Sequence, residues 1–122
     1  MNLHESGEDY LEAVLKLREA KGQVRSIDVA GELGVTKPSV SVAMKKLREA
    51  GHITMDESGL LSLTPQGEAV AQRIYERHRI LTQLLMGLGV DEATAAQEAC
   101  KIEHHISDDT FQKMKAHLQR QA

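Results

Sequence analysis

Between Ser26 and Leu63 the hydrophobic period changes from that of a helix to that of a strand, with glycines at the changes of direction. No other stretch restricts the fold as much. The pattern from Ser26 to Leu33, with Ser26 as N-cap and Ile27, Ala30 and Leu33 on the buried face, predicts a two-turn helix that Gly34 stops. Thr36 then caps a helix running to about Ala50. Pro38 falls in its first turn, where a missing backbone donor costs nothing, and Val40, Met44 and Leu47 recur at spacings of four and three. Ile53 and Met55, then Leu61 and Leu63, alternate on either side of Asp56-Glu57-Ser58-Gly59, which predicts a two-stranded hairpin.

The flanks keep a helical period. Leu11, Val14, Leu15 and Leu17 place an apolar stripe on a first helix from about Glu8 to Ala20. After the hairpin, Thr64-Pro65 opens a helix to about Met86 whose stripe reads Val70, Ile74, His78, Leu81 and Leu85. Asp91 caps a fifth helix to about Ile106, and Ser107 starts a sixth carrying Phe111, Met114 and Leu118. Only three of 122 residues are aromatic, so the core is aliphatic, which suits helices. The expected fold is mainly α: a winged helix-turn-helix with a small two-stranded wing over residues 1–64, then a helical region over residues 65–122.

Spacing inside the helix-turn-helix is informative. Ala30 is small enough for close helix contact, Gly34 can take the positive dihedral of the turn, and Val40 and Ala43 pack the second helix back on the first. Net charge is −3, so a claim of nucleic-acid binding must rest on local pattern. The recognition helix supplies it: Thr36, Lys37, Pro38, Ser39, Ser41, Val42, Lys45 and Lys46 form its start and outer side. Thr36, Ser39 and the helix N-terminus are expected to hold phosphates, with Lys37, Ser41 and Val42 facing bases of double-stranded DNA. Arg25 and Arg48 read equally well as DNA contacts or as solvated charges. The acidic tip Asp56-Glu57 repels phosphates, so the recognition helix is expected to dominate affinity.

A bare DNA-binding domain has no use for a second set of residues. Asp9 and Glu12, three apart, share a face of the first helix; Cys100, Glu103 and His104 share a face of the fifth; His78 interrupts the apolar stripe of the fourth. Singly, each has an ordinary reading as a solvated carboxylate, a small buried thiol or a satisfied core histidine. Jointly, they offer three carboxylates, two imidazoles and a thiol, a set that only a cation would hold together in a partly buried place. Glu98 and His105 are further candidates. No HExxH or paired CxxC motif is present, and no catalytic residues are read.

Ser6-Gly7-Glu8-Asp9-Tyr10-Leu11-Glu12, the helix-turn-helix through Gly51, Glu76-Arg77-His78-Arg79 and Glu98 to Ser107 resemble the diphtheria toxin repressor and manganese transport regulator family over nearly the whole chain. The resemblance implies a repressor, homodimeric through its C-terminal helices, that binds palindromic operators when loaded with Fe(II) or Mn(II), one or two ions per subunit. Its implied ligands are Asp9, Glu12, His78, Cys100, Glu103 and His104. Asp9 and Glu12, with a chain stopping at Ala122, resemble the manganese branch. Cys100 matches the iron branch, whereas Thr82 and Ala96 stand where that branch has ancillary ligands.

The lone cysteine and the lack of a signal-peptide pattern make the cytoplasm the expected compartment, and no run is apolar enough to span a membrane. Leu81, Leu84, Leu85, Met86, Ile102 and Ile106 exceed what one helical core needs, and symmetric pairing is the expected use of the surplus. Three other functions fit parts of the pattern: a winged-helix regulator answering to a small organic ligand, a metallohydrolase using Glu103 as base, and a metal-buffering module without DNA affinity. The serine- and lysine-bearing recognition helix argues against the last, and the absence of a readable substrate pocket against the second.

Overall fold

Nine elements follow one another in the computed structural model, which describes residues 5–121: α1 (Glu5–Lys21), β1 (Val24–Arg25), α2 (Ser26–Leu33), α3 (Lys37–Glu49), β2 (Ile53–Met55), β3 (Leu60–Leu63), α4 (Pro65–Gly87), α5 (Glu92–Ile102) and α6 (Asp108–Gln121). The chain divides into two compact units, Met1–Gln72 and Arg73–Ala122.

In the first unit the core is aliphatic, as the composition requires. Leu11, Val14 and Leu15 of α1 are buried with Val29 and Ala30 of α2, Val40, Met44 and Leu47 of α3, and Val24, Ile53 and Leu61 of the sheet. Each of these side chains larger than alanine contributes roughly 1.5–3 kcal/mol. Gly34 adopts φ 66°, and its N–H reaches the Ala30 carbonyl, so the turn between α2 and α3 is tight. Thr36 caps α3, accepting from the Ser39 N–H at 3.2 Å.

Three local expectations are corrected. The cap of α2 is Arg25, with Ser26 the first helical residue; the Asp28 carboxylate accepts from the Arg25 N–H at 2.9 Å. Ile27 is 55% exposed, and Val29 takes the core position with Ala30. The hairpin gains a third strand: the sheet order is β1-β3-β2, antiparallel throughout, with Val24 opposite Leu61 and Met55 opposite the same residue on the other side.

The hairpin is joined to α4 by a tight knot. The Thr64 hydroxyl donates to the Gly51 carbonyl at 2.6 Å and accepts from the Gly67 N–H at 3.1 Å, while the Thr64 N–H donates to the His52 carbonyl at 3.1 Å. A Cβ at Gly67 would run into the backbone carbonyl of His52. Nearby, Arg18 of α1 holds Glu68 of α4 in a two-point pair, at 2.6 and 2.9 Å.

In the second unit, Ile74, Leu81, Ala95, Ala99 and Phe111 are buried. Ala95 and Ala99, one turn apart on α5, leave room for close helix packing. Asp91 caps α5 by accepting from the Thr94 N–H, and the Ser107 hydroxyl accepts from the Thr110 N–H at the start of α6, both as the sequence predicts. α5 is shorter than expected. It ends at Ile102, with Glu103 as C-cap, four residues before Ile106.

Two predictions follow from the first unit. Gly67→Ala gains up to about 1 kcal/mol of backbone preference but pushes a rigid carbonyl aside, so it should destabilise by about 1–3 kcal/mol; an unchanged melting temperature would refute the contact. The Arg18 guanidinium holds the Glu68 carboxyl down at about 2, with help from Gln72, against an ordinary value of 4.5. Stability from this pair is therefore present above about pH 4.5 and lost as pH falls toward 2. Because 40% of the Arg18 side chain and 34% of the Glu68 side chain are exposed, Glu68→Gln should cost only about 0.5–1 kcal/mol at neutral pH. That gap should close in acid, as read by denaturant unfolding across the acid range.

Candidate functional site

The second unit gathers ligand-type side chains around one carboxylate. Glu103 has no exposed side-chain surface. Its Oε2 lies 2.9 Å from His78 Nδ1. Its Oε1 makes no hydrogen bond and stands 3.5 Å from Nε2 of His104, whose ring is 2% exposed. The Cys100 sulfur lies within 4.8 Å of a Glu103 carboxylate oxygen. A buried carboxylate costs several kcal/mol unless charge and hydrogen bonds offset its desolvation. A carboxylate with an oxygen left over, two imidazoles and a thiol within reach is a donor set that fits a divalent transition metal.

Each donor is placed by its element. His78 lies on α4, where the Thr82 hydroxyl donates to the His78 carbonyl at 2.7 Å. Cys100 sits in the last turn of α5 and is exposed. Glu103 and His104 are not on a continuing face of that helix, as the spacing implied; they lie at its C-cap and in the following turn. The physical reason is Arg77, whose Nη1 donates to the carbonyls of Glu103 at 3.2 Å and Ile106 at 2.8 Å and so holds the chain in a turn. Glu98 is exposed and pairs with Lys101 at 3.6 Å; His105 is exposed, edge-on to His104.

The remaining two candidates belong to the first unit. Asp9 is half-buried and Glu12 is 5% exposed, both on α1.

The proposed DNA-reading residues form an exposed surface. Thr36, Lys37, Pro38, Ser39, Ser41, Val42, Lys45 and Lys46 are all exposed, Val42 to 55%. The Thr36 hydroxyl donates to Ser39 Oγ at 2.9 Å while accepting from its N–H, so capping uses part of the polar capacity expected for phosphates. Ile27 and Val35 add exposed apolar surface to the helix-turn-helix.

At the wing tip, Asp56 has a structural task. Its Oδ1 accepts from the Leu60 N–H, the Ser58 N–H and the Ser58 hydroxyl at 2.8–2.9 Å, bonds that hold its carboxyl below the usual range. Arg25 reaches the Ser58 carbonyl, bringing a cation to the acidic tip. Sequence reasoning missed this because a two-residue strand carries no readable period; it missed the task of Arg77 because the partners lie 26 and 29 residues away.

An apolar groove of about 530 Å³ in the second unit is lined by Leu81, Leu84, Leu85, Ile102, Met114 and Leu118 among others. Leu88, 81% exposed, is also part of it.

Comparison with known proteins agrees with both halves of this description. Residues 2–69 match the model of the iron-dependent repressor N-terminal DNA-binding domain, and residues 64–121 match that of the iron-dependent repressor metal-binding and dimerisation domain. The chain is 37% identical over 113 residues to the transcriptional regulator MntR of Salmonella typhimurium, covering 93% of this chain and 72% of that protein. Among solved structures it is similar to the manganese regulator SloR, with a TM-score of 0.82 and 28% identity over 98% of this chain and 55% of that one. A manganese-dependent transcriptional repressor in complex with manganese gives a TM-score of 0.85 and 29% identity over 93% of this chain and 52% of that one. The chain thus spans about half the length of these solved regulators. With a match to both domain models and an identity above a third to a regulator it largely covers, the chain belongs to the iron-dependent repressor family of metal-dependent, DNA-binding transcriptional regulators.

Proposed function

We propose that this chain is a transcriptional repressor of metal-ion homeostasis that binds palindromic operators as a homodimer when loaded with Fe(II) or Mn(II), one or two ions per subunit. The buried Glu103 carboxylate among His78, His104 and Cys100 carries the reading. Asp9 and Glu12 of α1 are the remaining two ligands of the proposed set. When bound, the cation supplies the positive charge that lets three carboxylates share one place. Loading with the cation is then what makes the repressor competent for operator binding.

The recognition surface follows α3. Lys45 and Lys46 neutralise phosphates, Thr36, Pro38 and Ser39 bring the helix N-terminus to the backbone, and Lys37, Ser41 and Val42 meet base edges. A dimer pairs two such helices about 34–36 Å apart, one turn of DNA. The apolar groove of the second unit, with Leu88 at its edge, supports pairing of two chains there. This is regulation rather than catalysis, in the cytoplasm, where the operator is. Among the described residues no helix is long and apolar enough to cross a membrane.

Fluorescence anisotropy on a palindromic upstream fragment tests the reading. Operator affinity should rise at least tenfold with anaerobic Fe(II) or with Mn(II) and fall back with chelator, and Glu103→Ala should bind poorly at any metal level. A complete switch from about 1:99 to 99:1 needs about 5.5 kcal/mol of differential metal affinity. Metal-independent binding would refute the scheme and favour a regulator answering to an organic ligand.

Cys100 offers a second test. A thiolate favours Fe(II) over Mn(II), whereas carboxylates suit both. Cys100→Glu should therefore shift activation toward Mn(II) in the same titration, and unchanged selectivity would remove Cys100 from the ligand set.

A further inference from the structure

Arg77 is a buried cation that the ligand list does not use. Only 4% of the residue is exposed. Its Nη1 donates to the Glu103 carbonyl at 3.2 Å and the Ile106 carbonyl at 2.8 Å, its Nη2 lies 3.6 Å from an Asp108 carboxylate oxygen, and its guanidinium stands 5.3 Å over the ring of Phe111. These contacts fall on the turn from α5 to α6. A helix end leaves carbonyls without intrahelical partners and carries partial negative charge, and a cation placed there answers both. The next residue along α4, His78, faces the Glu103 carboxylate, and the preceding one, Glu76, holds Lys115 of α6 at 2.9 Å. Three consecutive residues of one helix thus reach the ligand, the turn that carries it and the helix beyond.

We propose that Arg77 is the positioning residue of the metal centre: by clamping the carbonyls of Glu103 and Ile106 it fixes the turn that presents the Glu103 carboxylate and the His104 ring. The proposal rests on the metal-responsive reading above. Lysine cannot replace the arginine, because an ammonium has no planar group that donates to both carbonyls from one nitrogen, turns a second toward Asp108 and lies over an aromatic ring. Groups that orient ligands in this way typically cost about 10- to 100-fold in metal affinity when lost.

The test compares the full chain with Arg77→Lys. Metal affinity is measured by competition with a chromophoric chelator for Mn(II) and Co(II), ligand geometry by the visible spectrum of the Co(II) form, and stability by denaturant unfolding of the metal-free proteins. Arg77→Lys should remain folded, lose about 10- to 100-fold in affinity and change the Co(II) spectrum. A folded variant with wild-type affinity and spectrum overturns the positioning role and leaves the metal reading standing. If the wild-type chain itself takes up neither ion, the metal reading falls and the assignment falls with it. Should Arg77→Lys not fold, amide hydrogen exchange of the metal-free wild-type chain decides. A turn held by Arg77 keeps the amides of residues 104–106 as protected as those at the end of α5, and Mn(II) adds little. Amides that exchange freely until Mn(II) is added overturn the proposal.

Discussion

A carboxylate with no exposed side-chain surface, at the point where α5 stops, is the constraint around which the second unit is arranged. Burying that group without compensation would consume much of the net stability of a small domain, since a whole domain has only about 5–15 kcal/mol in hand. One carboxylate oxygen faces His78 Nδ1 at hydrogen-bond distance, and the other, without a hydrogen bond, stands 3.5 Å from Nε2 of His104. Imidazoles and a nearby thiol are good companions for a carboxylate around a cation. Under the proposed function this apparent defect in packing has a use: stability is traded for the ability to respond.

The first unit shows the opposite economy, with polar groups committed to each other. Thr64 ties α4 to Gly51 and His52, Asp56 closes the wing turn with three accepted hydrogen bonds, and Arg18 grips Glu68 at two points. Such a unit presents its recognition helix as a rigid object. Side chains left exposed on α3 include hydroxyls, amines and one branched apolar group, Val42, and this mixture suits phosphate and base contacts together. The acidity of the wing tip acquires a different meaning as well: Asp56 is there to shape the turn, and Arg25 from β1 brings a positive charge to the same place.

What could be read in the sequence was what is decided locally. Gly34, Thr36, Asp91 and Ser107 mark helix boundaries through chemistry within three or four residues, and all four do as expected. β1 could not be read, because two residues have no period and their pairing partner lies more than thirty positions away. Ile27 fitted a buried stripe as well as Val29 did, and only the packing of the unit chose between them. The end of α5 is not legible for a related reason: no glycine or proline lies between Glu103 and Ile106, and the side chain that bonds the carbonyls of that turn comes from α4. The ligand types were legible, since a histidine in an apolar stripe and acid, thiol and imidazole at short spacing are all odd for a core. Their arrangement about a turn rather than along a helix face was not.

Arg77 and Glu103 also illustrate how a buried cation and a buried anion can be neighbours without cancelling each other. The guanidinium is directed to the backbone carbonyl of Glu103, to Ile106 and to the face of Phe111, while the carboxylate is directed to the two histidines. Had the fork closed on the carboxylate instead, the pair would have been a satisfied salt bridge, and any ion entering would have had to break it at a cost of about 3–5 kcal/mol for the charge left behind. Spending the arginine on the main chain holds Glu103 in place and leaves its oxygens to other partners. The guanidinium is thus committed to the main chain, to Asp108 and to Phe111, and makes no bond that a bound cation would have to replace.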